Sequence, residues 1–311
     1  MTTFVDFARA HGVEIDPAKL YANERVRRCG TTEHPRSKNG AYFWDGQRGW
    51  VFAWDGEARA QWWNDPHARP WTEEEKHAWK AKRDGQRQAE ERKRRDAALQ
   101  AAEMLKAAKP GRHDYLFRKG FPDLQGLVLP DGGLLVPMRD WKTNELRGAQ
   151  VIRWTDTEDE PGRMRWVKKM VYGMQARGAV LRLGPRHATE TIYCEGYATG
   201  LSIEAAVRQL RLNAAVMVCF SDSNMVHVAQ QTKGRRYCFA DHDRTPALER
   251  AKRDRGEPFD VRGPGELAAI NAGLPYCMSP ELGEDANDLH QRAGLMAVCQ
   301  LLLKARAQMG P

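Results

Sequence analysis

The pattern of apolar and polar positions changes character several times along this 311-residue chain. Near the start, Phe4, Phe7 and Ala8 fall at helical spacing and predict a short amphipathic helix. Residues 39–56 follow as short aromatic runs parted by Asp-Gly, Gln-Arg-Gly and Asp-Gly steps, which predicts a small antiparallel meander. Five of the ten tryptophans lie between Trp44 and Trp63, so this first unit has enough aromatic surface for a core of its own. From Thr72 strong helix formers dominate until Pro110-Gly111; Thr72 and Glu75 make a capping box, and Gly85 is a place where the helix could break. The first part of this helix is polar nearly all round, which suits a solvated arm between domains.

Residues 111–187 read as mixed β structure, with strand-like runs beginning at Gly126, Gly133, Leu146, Met164 and Ala179 and turn residues between them. After residue 190 strand and helix alternate. Strands are expected over 191–194, 214–220, 236–240 and 275–278, and helices over about 198–210, 223–232, 245–254, 264–272 and 288–307. Such alternation predicts an α/β fold with a parallel sheet flanked by helices, which takes its ligands beyond the carboxyl ends of the strands. The expected organisation is a Trp-rich β unit (1–71), a charged helical linker (72–109), a mixed α+β subdomain (110–187) and a catalytic α/β domain (188–311).

Composition changes this picture little. Lysine and arginine total 49 against 41 acidic residues, a formal +8 with pI near 9.2, compatible with a polyanionic partner but weak evidence alone. Cys194, Cys219, Cys238 and Cys277 lie in apolar strand-like runs and read as buried reduced thiols. No CxxC pair occurs, and Cys29 with nearby His34 falls short of four ligands, so zinc is not expected. With no signal-peptide pattern and no apolar run near the ~20 residues a bilayer requires, a soluble, cytoplasmic protein without membrane contact is expected.

Candidate chemistry lies in three acidic clusters: Glu195-Gly196 after one strand, Asp241 and Asp243 after another, and Asp285 and Asp288 in Glu-Asp-Ala-Asn-Asp-Leu. Asp241 and Asp243 are two apart, so in extended chain both leave the same face. Carboxylates gathered at strand ends repel one another unless a hard cation neutralises them, and oxygen-only ligation suits Mg2+, with Mn2+ as a substitute. Taken singly, a Glu-Gly after a strand is an ordinary turn and an Asp-x-Asp an ordinary loop start; the ordered set on β/α alternation is what points to a site.

That set resembles the Toprim signature, a strand ending in Glu-Gly followed by a strand ending in Asp-x-Asp. Cys-Glu-Gly-Tyr-Ala-Thr-Gly-Leu-Ser at 194–202, Gly-Glu-Asp-Ala-Asn-Asp-Leu-His at 283–290 and Gly-Leu-Leu-Val-Pro-Met-Arg from Gly133 are similar to segments of phage- and plasmid-type primases. The resemblance spans roughly residues 110–300 and implies a primase that joins nucleoside triphosphates on single-stranded DNA. It makes Glu195 a general base or metal ligand, Asp241 and Asp243 magnesium ligands, and either Asp285 or Asp288 the completing ligand. One departure stands out: bacterial replicative primases carry a further Asp four residues after the glutamate, where this chain has Thr199. The resemblance also sets Lys168 or Lys169 against nucleotide phosphates, with Arg163, Arg165, Arg147 and Arg153 as further basic candidates; a solvated basic strand edge accounts for them equally well. In the first unit Arg25, Arg27, Arg28, Arg36, Lys38 and Arg48 lie among aromatics, which would suit single-stranded DNA, though core packing is the better account of most of the tryptophans. No G-x-x-x-x-G-K-[ST] stretch is present, so a helicase would act in trans, as for a primase of a phage or plasmid acting in the bacterial cytoplasm. The other readings are a Toprim nuclease, against which the 110–187 region argues, and a non-catalytic DNA-binding replication protein. A topoisomerase is disfavoured, for no large DNA-gate domain fits and no tyrosine stands out as a nucleophile.

Overall fold

A computed structural model describes residues 3–20, 22–36, 38–53, 59–66, 71–157, 160–245, 247–256 and 258–309, arranged as two compact units, Met1–Arg83 and Asp84–Pro311.

In the first unit helix α1 (Phe4–Ala10) is closed by a capping box in which Thr3 and Asp6 exchange hydrogen bonds. It packs on a five-stranded antiparallel meander, β1 (Val13–Glu14), β2 (Asn23–Thr31), β3 (Gly40–Trp44), β4 (Arg48–Ala53) and β5 (Gln61–Asn64), in chain order. Phe4, Ala8, Val13, Ile15, Tyr42, Val51 and Ala53 form its core. Trp44 stacks on Phe4 at 5.8 Å and Trp63 tilts against it at 5.5 Å, so these two indoles serve packing, whereas Trp62 is 69% exposed. Trp54 lies outside the described residues.

Helix α2 (Glu73–Ala107) begins at the expected capping box, with Glu75 N–H donating to Thr72 Oγ1 at 3.2 Å, and passes through Gly85 without a break. Its first turns belong to the first unit, where Trp79 meets Trp71 and Phe43. Its last turns belong to the second, where Ala97 and Ala101 are buried.

The second unit is built on one ten-stranded sheet. Its antiparallel wing contains β6 (Lys109–Gly111), β7 (Gly126–Val128), β8 (Leu134–Asp140), β9 (Leu146–Thr157), β10 (Glu160–Met170) and β11 (Ala179–Leu183), with helix α3 (Asp114–Arg118) between β6 and β7. The parallel wing contains β12 (Glu190–Cys194), β13 (Ala214–Val218), β14 (Arg235–Phe239) and β15 (Tyr276–Cys277) in the order β13-β12-β14-β15. Strand β11 runs antiparallel to both β8 and β13 and makes the segments 110–187 and 188–311 one continuous sheet. Helices α4 (Tyr197–Gln209), α8 (Ala286–Ala293) and α9 (Leu295–Ala307) pack on one face against Ile192, Val216, Val218 and Phe239. Helices α5 (Asp222–Gln231) and α7 (Pro264–Asn271) cover the other against Tyr193, Met217 and Cys238; α6 (Ala247–Asp254) precedes α7. The single helix expected over 288–307 is two, because Gly294 at φ 81 ends α8 in a backbone region that other residues rarely adopt. Among the described residues, no helix is long and apolar enough to cross a membrane.

Candidate active site at the ends of the parallel strands

Strands β12 and β14 are parallel neighbours with Tyr193 opposite Cys238, so Glu195 and Asp241, which follow them, emerge side by side at the same end of the sheet. Burial of apolar strands on both faces drives their polar groups to these ends.

Glu195 has its pKa pushed up to about 7, first by burial, then by the charge of Asp222 and a hydrogen bond to that residue, then by Asp243; Lys168 opposes the shift. Asp241 is pushed up to about 8, again first by burial and then by Asp285, Glu195, Asp243 and Asp222. Its Oδ1 is buried and has no hydrogen-bond partner among the described residues. A buried carboxylate oxygen without a donor is costly, and ligation by a hard cation would relieve that cost. The donor set is all oxygen and fits Mg2+ or Mn2+. Among the described residues no group of three acidic, His or Cys side chains has metal-ligand geometry.

Asp243 is held by the start of α7, where Gly265 N–H donates to its Oδ2 at 3.0 Å. A side chain at Gly265 would lie 2.6 Å from Asp241 O and 3.1 Å from Asp243 Oδ2, and one at Gly263 would lie 2.4 Å from Asp243 O. Both glycines therefore let the helix close onto the Asp241–Asp243 segment. Asp222 enters the group at the first turn of α5. Phe220, at φ 62, turns the chain sharply after β13, and its N–H donates to Glu195 O at 2.9 Å, which brings the two segments together.

The third acidic pair has a structural duty. Asp285 caps α8 by accepting from the N–H groups of Asn287 (2.7 Å) and Asp288 (2.9 Å), and Thr199 Oγ1 donates to its other oxygen at 2.9 Å. Thr199, by this bond, orients Asp285. Asp285 still acts on Asp241 by charge, while Asp288 closes the capping box and lies 3.6 Å from Lys119 Nζ.

Strand alternation divides the basic residues. Lys168 lies opposite Ile152, which is buried with Tyr115, Leu116 and Ala198 on the α3–α4 face of the sheet. Lys169 lies opposite Val151, which packs with Ala97 and Ala101 of α2 on the other face. Lys168 thus shares a face with the acidic group; its pKa is lowered chiefly by burial of its ammonium end and by Lys119, and drawn back up by Asp285, Glu195 and Asp241. Arg165, opposite Thr155, is on the Lys169 face, and exposed Arg163 lies in the bulged stretch of β10. Arg147 pairs with Asp140 and donates to Arg177 O at 3.0 Å, and Arg153 pairs with Asp131 at 2.6 Å, so both brace the antiparallel wing.

Asp222, Lys119, Gly263 and Gly265 escape sequence reasoning. Asp222 sits in an ordinary Ser-Asp-Ser helix start, and Lys119 reaches the site through a long-range contact in which Asn287 Nδ2 donates to Lys119 O at 2.8 Å. The glycines were the only signal available, since Gly-Pro-Gly at a helix start invites the question of what approaches it.

No family model matches the chain, and no curated protein and no solved structure matches it significantly.

Proposed function

We propose that the chain is a Toprim-type primase, which joins nucleoside triphosphates on a single-stranded DNA template with Mg2+ or Mn2+ at the Glu195–Asp241–Asp243 group. The observation that carries this reading is the buried, unpartnered Oδ1 of Asp241, beside a second strand-end carboxyl, Glu195, raised to about 7. The cation would activate the attacking hydroxyl and offset charge on the transferring phosphoryl group. Asp241 and Asp243 would hold it, with Asp285 and Asp222 adding negative charge close by. Glu195, with its raised pKa, is suited to take the proton of the attacking 3′-hydroxyl near neutral pH. Lys168 and Lys119 supply positive charge for a triphosphate tail at the same face. The antiparallel wing and the segment after α3 offer this basic surface beside the acidic one, where a nucleoside triphosphate as well as a template strand could be held.

The test is primer synthesis: full-length protein, ribo- and deoxynucleoside triphosphates, Mg2+ or Mn2+, and random single-stranded template, with labelled product resolved by length. Products extended from two nucleotides support the reading. Shortened template without synthesis would transfer the site to a nuclease, and neither outcome, together with no Mn2+ binding, would leave a DNA-binding protein without catalysis.

A further inference from the structure

On the face of the sheet that carries Lys168, the β9–β10 ribbon continues outward to a pair of indoles. Trp166 and Trp154 are directly opposite in the antiparallel register, two residues beyond the Lys168–Ile152 pair, and so share its face. Their rings meet edge to face at 5.2 Å. Trp166 is fixed in turn by Tyr115 at 5.4 Å and His113 at 5.5 Å, while the Arg118 guanidinium lies 5.0 Å over the Trp154 ring. Trp154 is nevertheless 44% exposed.

An indole pinned on several sides yet half open to water is not explained by the core, which already has Tyr115, Leu134 and Ile152 on this face. Arg118 forms no ion pair among the described residues; Asp156, the nearest acidic position along β9, is turned into the hairpin, where it accepts from Gly162 N–H at 2.8 Å. The strip thus combines an aromatic pair, a guanidinium that lies over one ring without a carboxylate partner among the described residues, and Lys119 and Lys168 on the way to the carboxylates.

We propose that Trp154, backed by Trp166 and flanked by Arg118, is a stacking platform for an unpaired base of single-stranded DNA, whose phosphates run over Arg118, Lys119 and Lys168 toward the acidic group. Stacking accepts any base because every base offers a π-face, and a duplex hides those faces, so the chemistry selects single strands without selecting sequence. Trp154 stands on β9 two residues from Ile152, the residue opposite Lys168, so it is about 7 Å along the ribbon, at ~3.3 Å per residue, and one strand across from that lysine. The direction of the strand toward the carboxylates rests on the proposed primase activity; the platform itself does not.

The test is fluorescence anisotropy of the full chain with fluorescein-labelled (dT)12 in EDTA, where no catalysis occurs. Trp154→Ala should weaken binding on the order of tenfold, Trp154→Phe should recover most of it, and a 12-base-pair duplex should bind both variants like wild type. Arg118→Ala should lower the salt dependence by about one phosphate contact. Wild-type affinity for (dT)12 in Trp154→Ala, an equal loss for duplex, or tighter binding of (rU)12 than of (dT)12 would each overturn the assignment. Primer synthesis, measured separately, keeps the two readings apart: lost stacking in a chain that makes no primers retains the platform and removes the primase, and primers from a chain indifferent to Trp154 do the reverse.

Discussion

The two wings of the large sheet share hydrogen bonds through β11 yet put their chemistry in different places. In the parallel wing every residue of β13 is buried, and helices cover both faces. The carboxyl halves of β12 and β14 are buried, so the site's carboxylates stand just beyond their ends, while Glu190 and Arg235 pair at their starts. In the antiparallel wing β10 is an edge strand paired with β9, and Lys168 and Trp166 of β10 stand with Trp154 of β9 on one face of that ribbon. The parallel wing concentrates negative charge at a line of strand termini; the antiparallel wing spreads cations and aromatic rings over a face beside it. Juxtaposed, they set a basic and aromatic face beside a group of strand-end carboxylates, the pairing on which the proposed function rests.

The largest expected effects fall at the strand termini. Glu195→Gln, Asp241→Asn and Asp243→Asn should each lower nucleotidyl transfer by on the order of a hundredfold or more while leaving far-UV circular dichroism unchanged. Wild-type rates in all three would strip the parallel wing of its chemistry. Next comes Lys168 against Lys169. Because the two point to opposite faces, Lys168→Ala should raise the KM for nucleoside triphosphate roughly tenfold, the value of one lost charge-assisted contact, whereas Lys169→Ala should change it little. Equal losses would show that the ribbon acts through overall charge rather than through the face its alternation selects.

Much of this arrangement is legible in the sequence for one physical reason: period and strand ends are local. The β/α alternation and the four strands of the parallel wing follow from residue patterns that each strand carries by itself; that Glu195 lies beside Asp241 follows from the pairing of β12 with β14. Asp222 is not legible, because its arrival depends on the φ 62 turn at Phe220, which no feature of a phenylalanine announces. The choice between Lys168 and Lys169 needed the register with β9, a property of two strands together. Asp285 and Asp288 read as ligands in sequence although their geometry is that of a capping box, because Asp-x-x-Asp serves both purposes. Gly85 reads as a helix breaker, yet nothing lies within 4 Å of where its Cβ would be, and the helix runs through at only the ~1 kcal/mol that glycine costs against alanine.

A smaller effect tests how the termini are assembled. Gly265→Ala puts a methyl 2.6 Å from Asp241 O, and the strain of such a contact is typically about 1–3 kcal/mol. Urea unfolding should show that loss, and Mn2+ affinity should fall with it because Asp243 is displaced. Gly256→Ala, where no atom lies within 4 Å but φ is 74, should cost stability without touching Mn2+ affinity. A loss of Mn2+ affinity in both variants would mean that the metal response merely follows global stability.

The smallest effect, on stability as a function of pH, bears most directly on the cation proposed for the acidic wing. Asp241 ordinarily titrates near 3.8 but is raised to about 8 when folded, and Glu195 moves from 4.5 to about 7. Between these values the folded chain holds protons that the unfolded chain has already released. Stability of the metal-free protein is therefore greatest below about pH 4 as far as these groups are concerned, and declines as pH rises toward 8. Asp241→Asn removes one of the two groups, so its melting temperature should exceed that of wild type at pH 8 without metal, by about 2–4 °C per kcal/mol for a unit of this size, and match it near pH 4. Adding Mg2+ at pH 8 should raise the wild-type melting temperature and leave that of Asp241→Asn nearly unchanged, since the cation does for the ionised carboxylates what protons do at low pH. An Asp241→Asn protein less stable than wild type at pH 8 would mean that the buried carboxyl is already satisfied, and the imbalance between the two wings would then lose its claim to be functional.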